Sequence, residues 1–198
     1  MESEVGRTGI INNVVYDRCC KGFRLEQLNS TELSNGEMLA VCKILLDSRA
    51  LLKTEMIDIL DKLVESCVSK KNRKEILDLI QNEKFHYVEP RHKTAFLDTM
   101  WKIGQAIRKS QYIEIDYEKP GNKEKIKRKL KPVAIMFSEY YFYLTAFISD
   151  EEARKNFDVI NDSFPTIYRI DRIKEMKVLE EKFFIPYRSR FEEGEFRK

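Results

Sequence analysis

Gln111-Tyr112-Ile113-Glu114-Ile115-Asp116-Tyr117 is where the chain changes its period. Ile113, Ile115 and Tyr117 alternate with Tyr112, Glu114 and Asp116. An apolar residue at every second position marks a strand with one buried face. Lys119-Pro120-Gly121-Asn122-Lys123 follows, a turn by its proline, glycine and asparagine. Further strands are predicted over 124–136 and 139–148, and a last β segment over 166–178, bent near Arg172. Four or five short strands imply a small barrel or a strongly twisted sheet. Ser149 to Asp162 is acidic and polar and reads as a loop or a short helix.

Upstream of Gln111 the period is helical. Ser34-Asn35-Gly36-Glu37 fits a capping box, with Ser34 as N-cap and Glu37 reaching back. Met38, Val41, Cys42, Leu45 and Leu46 then recur at helical spacing. A second helix is expected after Thr54, with Met56, Ile57, Leu60, Leu63 and Val64 as its stripe. A third runs from Ser69, with Ile76, Leu77 and Ile80 on one face. A fourth is expected over 92–109, where Phe96, Leu97, Met100, Ile103, Gly104 and Ile107 face one way. Trp101 is expected to pack between this helix and the strands. Near the start, Val14-Val15-Tyr16 and Phe23-Arg24-Leu25 flank turn residues and read as a hairpin. The expected class is α+β, a helical region followed by a small β-domain.

The chain has 198 residues, 42% hydrophobic and 35% charged, with a formal net charge of +3. That is enough for one large domain or two small ones, and too mild a charge to argue for nucleic acid by itself. No apolar run is long enough to span a bilayer, and no signal-peptide pattern opens the chain. A cytoplasmic location with no membrane partner is expected. Cys19, Cys20, Cys42 and Cys67 form no C-x-x-C pair, and His86 and His92 lie far from them, so reduced thiols and no metal are expected. No cofactor is expected either. Walker, Gly-x-Ser-x-Gly and His-Glu-x-x-His motifs are absent, so no enzymatic activity is expected.

Three segments can carry binding. Along 125–131, Lys125, Lys127, Lys129 and Lys131 fall on one strand face, and Ile126, Arg128 and Leu130 on the other. A guanidinium sharing an apolar face needs an acceptor, either a structural carboxylate such as Asp116 or Asp171, or a ligand anion. In the next strand, Tyr141, Tyr143 and Thr145 oppose Phe142, Leu144 and Ala146, so phenols and a hydroxyl share a face. Arg169 and Arg172 flank Asp171, and a bend there could bring them together or let Asp171 hold one in place. Arginines beside tyrosines suit phosphate and base recognition.

Arg128-Lys129-Leu130-Lys131-Pro132, Phe142-Tyr143-Leu144 and Tyr168-Arg169-Ile170-Asp171-Arg172-Ile173 resemble, in order and spacing, the WYL domain. Ile113-Glu114-Ile115-Asp116-Tyr117 is similar to its opening strand. The resemblance covers about 110–180. The tripeptide departs from Trp-Tyr-Leu at Phe142. The resemblance implies a Sm-like, SH3-type β-barrel sensing a ligand within a transcription regulator, the ligand being nucleic acid or a nucleotide-like effector. It implies ligand contacts from Arg128, Tyr143, Arg169 and Arg172, with Ser138 and Tyr141 beside them. On this reading 1–28 is the remnant of a winged helix-turn-helix wing, which would reach DNA through a domain largely outside the chain. Residues 29–109 are then a helical connector and dimerisation region, 110–180 the sensor, and 181–198 a link toward a further domain. A homodimer is expected, and an assembly module without a ligand of its own is the alternative.

Overall fold

The computed structural model describes residues 12–17, 21–27, 33–121, 124–149 and 165–184. The acidic stretch expected as a loop or short helix, Cys19 and Cys20, and the tail beyond 184 lie outside the described residues. The chain divides into two compact units. The described residues up to Asp47 with Met56–His86 form one. Ser48–Glu55 with the described residues from Tyr87 onward form the other.

The first unit holds the hairpin and three helices. β1 (Asn12–Asp17) pairs antiparallel with β2 (Gly22–Gln27), with Asp17 opposite Gly22. α1 (Asn35–Ser48) starts at the expected capping box: the Ser34 N–H donates to Glu37 Oε2 at 2.8 Å and the Glu37 N–H to Ser34 Oγ at 3.3 Å. α2 (Lys53–Cys67) and α3 (Lys70–Phe85) follow. Met38, Cys42, Met56, Leu60, Val64, Ile76 and Ile80 are all buried, so each expected stripe supplies core. Ion pairs of Lys43 with Glu83 and of Lys84 with Asp61 cross between helices. The buried Cys42 thiol is pushed up by desolvation.

The second unit begins with a short clasp. The Tyr87 hydroxyl donates to the Leu51 carbonyl at 2.9 Å, and both residues are buried. α4 (Leu97–Lys109) starts later than the period suggests. Lys93 lies in the left-handed region at φ 50°, the Thr94 N–H donates to His92 Nδ1 at 2.9 Å, and Thr94 Oγ1 donates to the His92 carbonyl at 3.1 Å. These local bonds compete with helical ones at 92–94, and the helix begins only at Leu97. Trp101 corrects another expectation. It is 68% exposed, because a step of 100° per residue puts it across the helix from buried Ile103 and Ala106.

β3 (Gln111–Glu118), β4 (Lys125–Ser138), β5 (Tyr141–Ile148), β6 (Thr166–Arg169) and β7 (Ile173–Lys182) form one antiparallel sheet in the order β6-β5-β4-β3-β7. The architecture is α+β. The hydrogen-bonded ladder is open, with β6 and β7 as its edges. Those edges are nonetheless consecutive in the chain, joined only by a 3-10 turn at Ile170–Arg172, where the sequence predicts a bend. Four interstrand gaps in a flat sheet span about 19 Å, whereas three residues reach about 10 Å. The sheet must therefore curl. Contacts between non-neighbouring β3 and β6 agree: the Tyr117 and Tyr168 rings lie 5.1 Å apart edge to face, and the Arg169 N–H donates to the Tyr117 hydroxyl at 3.4 Å.

Ile113, Ile115, Leu130 and Leu144 are fully or almost fully buried and define the inner face. On the outer face, register sets carboxylates against the lysine stripe: Glu114 opposite Lys129, Asp116 opposite Lys127, Glu118 opposite Lys125. Lys129 also pairs with Glu181, and Lys174 with Glu118 at 3.3 Å. Lys125, Lys127 and Lys129 are thus one side of a charge ladder, and Lys131 lies over the Tyr112 ring at 5.8 Å. Residues 139 and 140 make the two-residue turn between β4 and β5, both at positive φ (45° and 74°), without the glycine or asparagine such turns favour.

Candidate functional site

Arg169 is the best-defined of the expected site residues. Its Nε donates to Asp171 Oδ1 at 3.0 Å and its Nη2 to Asp171 Oδ2 at 2.8 Å. Asp171 is only 4% exposed, so a buried carboxylate grips the guanidinium in the bidentate geometry that suits arginine. The 3-10 turn makes this local pairing possible by folding residue 171 back beneath residue 169. The Arg169 guanidinium carbon also sits 3.6 Å from the centre of the Tyr141 ring, well inside cation–π range. Burial works most strongly against the Arg169 charge, but the hydrogen bonds and the charge of Asp171, with Tyr141 and Tyr143, together outweigh it and raise its pKa.

Tyr143 is opposite Arg169 in the β5–β6 register. Its ring meets that of Tyr141 edge to face at 6.4 Å. Burial raises the Tyr143 pKa, partly offset by Arg169, so the phenol is a neutral donor at physiological pH. His92 joins from the segment before α4, its ring 6.1 Å from Tyr141 and 5.9 Å from Phe96. The bond its Nδ1 accepts from Thr94 leaves the proton on Nε2. Burial lowers the His92 pKa, with Asp171 opposing and Arg169 reinforcing. Thr145, next along the same face of β5, is completely buried, and its hydroxyl has no hydrogen-bond partner among the described residues.

Tyr141, Tyr143 and Arg169 therefore come together on the outer face. The other expected residues do not join their contacts. Arg128 pairs across to buried Ile115 and so faces the inner side. Its Nη1 donates to the Lys127 carbonyl at 3.0 Å, and it forms no ion pair with Asp116 or Asp171. The inner-face Arg128 does act electrostatically on Tyr168, whose phenol burial pushes up to about 12. Ser138 is exposed at the β4–β5 turn, opposite Tyr141. Arg172 ends the 3-10 turn, half-buried, without an ion pair among the described residues.

Asp171 and His92 are the residues that sequence reasoning did not place in the site. Asp171 was signalled by its position between two arginines. His92 carried no signal, since only the fold brings residues 92 and 141 together. Among the described residues no cluster of His, Cys, Asp or Glu could hold a metal ion, and no helix is long and apolar enough to cross a membrane. Chemically, the arrangement offers a guanidinium edge, an aromatic wall and two neutral donors.

Residues 98–178 match the family model of the WYL domain. The match begins within α4, so it includes the helix as well as the strands that resemble the family. Comparison with curated proteins finds no match. Among solved structures, the chain is similar to proteasome accessory factor B/C (PafBC) of Arthrobacter aurescens, at 14% sequence identity and a TM-score of 0.34. That match covers 81% of this chain and 21% of that one, so the chain spans about a fifth of its length. The chain carries a WYL domain over residues 98–178.

Proposed function

We propose that the chain is the sensor portion of a transcription regulator and that its WYL domain binds a nucleotide-like anionic effector. The single observation that carries this reading is Arg169, its guanidinium carbon 3.6 Å from the centre of the Tyr141 ring and fixed by a buried Asp171. Asp171 occupies two of the five guanidinium N–H groups, which leaves an oriented edge for an anion. Tyr143 adds a neutral phenol beside it. The edge strands joined at one corner support a Sm-like, SH3-type barrel as the scaffold.

Arg172 and Ser138 flank this cluster in the proposal, and Arg128, on the inner face, stands outside it. The hairpin is proposed as part of a winged-helix wing that would reach DNA. The helical region is proposed as a connector through which two copies pair, supported by exposed apolar Ile44 and Leu79 on its helices. Titrating the protein with nucleoside 5′-monophosphates and following backbone amide NMR shifts tests the sensor reading. Perturbations concentrated at Tyr141, Tyr143 and Arg169 are expected. Unchanged spectra at saturating nucleotide would reject it.

A further inference from the structure

The electrostatics of the outer face are unsuited to a long polyanion. The charged groups acting on the Tyr143 phenol are Arg169, Glu139 and Asp171. Those acting on the His92 imidazole are Asp171, Arg169 and Glu55. Arg169 thus acts on these two groups together with Glu139, Asp171 and Glu55, and its own charge is already met by Asp171 at 2.8 Å. Arg172 is the further cation of the same turn, which leaves room for one anionic group. Three of the β4 lysines do not extend the site, because β3 carboxylates oppose Lys125, Lys127 and Lys129 in register, and Lys131 lies over the Tyr112 ring at 5.8 Å. Arg128 faces the other side of the sheet.

A nucleic-acid strand needs a run of cations spaced along its phosphates together with successive stacking surfaces. This face instead gives one compact aromatic corner. Tyr141 meets Tyr143 at 6.4 Å and His92 at 6.1 Å, and its own ring is covered by Arg169. The donors that remain are neutral: the Tyr143 phenol and the His92 Nε2–H.

We propose that the ligand of this corner is compact, one planar ring bearing a single anionic group, and is not a nucleic-acid strand. This rests on the reading of Tyr141, Tyr143 and Arg169 as the effector site. Selectivity then comes from stacking and neutral hydrogen bonds, with His92 supplying a contact from outside the matched domain.

Calorimetric titrations of the full chain with a nucleoside 5′-monophosphate and with an oligothymidylate of about ten nucleotides, each over a tenfold range of salt, test it. With one phosphate contact, monophosphate affinity should fall about fivefold across that range, and the oligonucleotide should bind no more tightly. An oligonucleotide that binds more tightly than the monophosphate, and loses on the order of several hundredfold over the same range as four phosphate contacts would, overturns the compact ligand while leaving the site reading intact. Binding of neither probe overturns both. A His92→Gln variant that binds the monophosphate as wild type removes His92 from the contact set.

Discussion

Asp171 is buried with a single counter-charge, which makes the two partners unequal under substitution. Arg169→Ala leaves a carboxylate 4% exposed and unpaired, and breaking such a pair costs about 3 kcal/mol. Asp171→Ala leaves a guanidinium that is 22% exposed and can still recruit water, so its loss should be smaller. Adding Asp171→Asn to Arg169→Ala should recover part of the stability, since a neutral amide is cheaper to bury than a carboxylate. Urea unfolding of the three variants checks this order. His92 gives a pH test at the same scale. Its pKa is depressed, chiefly by burial, so the folded state holds the proton more weakly than the unfolded chain. The contribution to stability is present above about pH 6.5 and declines as pH falls below it. An NMR titration of the His92 imidazole should give a midpoint below 6.5, and a midpoint at or above that value would contradict the buried, neutral ring. Arginine and tyrosine identities were legible in the sequence, and Asp171 as a holder was one of the alternatives it offered. The face of Arg128 was legible too, since alternation places it with Ile126 and Leu130. Its partner was not, because nothing local tells which carboxylate a sheet will bring near.

Between β4 and β5, Glu139 and Tyr140 hold positive φ without the residues that tolerate it. Such positions cost on the order of 1 kcal/mol or more each. The paired substitution Glu139→Asn with Tyr140→Gly should therefore raise the unfolding free energy by about 1–2 kcal/mol, read from the shift of the urea midpoint. Part of that gain would be offset by loss of the Arg49 contact to the Tyr140 ring, whose centre lies 5.8 Å away. Elements were the most readable level of the sequence. The capping box, three of the four helix starts and the bend at the 3-10 turn follow from local patterns. The start of α4 did not, because His92 and Thr94 replace helical bonds with side-chain ones. Nor did the outward position of Trp101, where a large apolar residue invited burial that the helix phase forbids.

At the scale of the molecule, register decides which charges are available. The lysines of β4 read in isolation as a basic stripe. In the sheet Lys129, Lys127 and Lys125 are ladder partners of Glu114, Asp116 and Glu118, and cross-strand opposite charges stabilise pairing rather than advertise a binding surface. The same register gathers Tyr143 and Arg169 on the outer face and turns Arg128 inward. Sequence motifs list these residues together, and only the curl and phase of the sheet separate them. The most direct measurement compares nucleoside 5′-monophosphate affinity for wild type, Arg169→Lys and Arg128→Lys. Lysine keeps a cation against Asp171 but cannot reproduce the flat bidentate fork. Loss of that charge-assisted geometry costs on the order of 1.5–3 kcal/mol, so Arg169→Lys should weaken binding at least tenfold while Arg128→Lys changes it less than about twofold. Undiminished binding by Arg169→Lys, with the loss appearing in Arg128→Lys instead, would contradict an effector site built on Arg169.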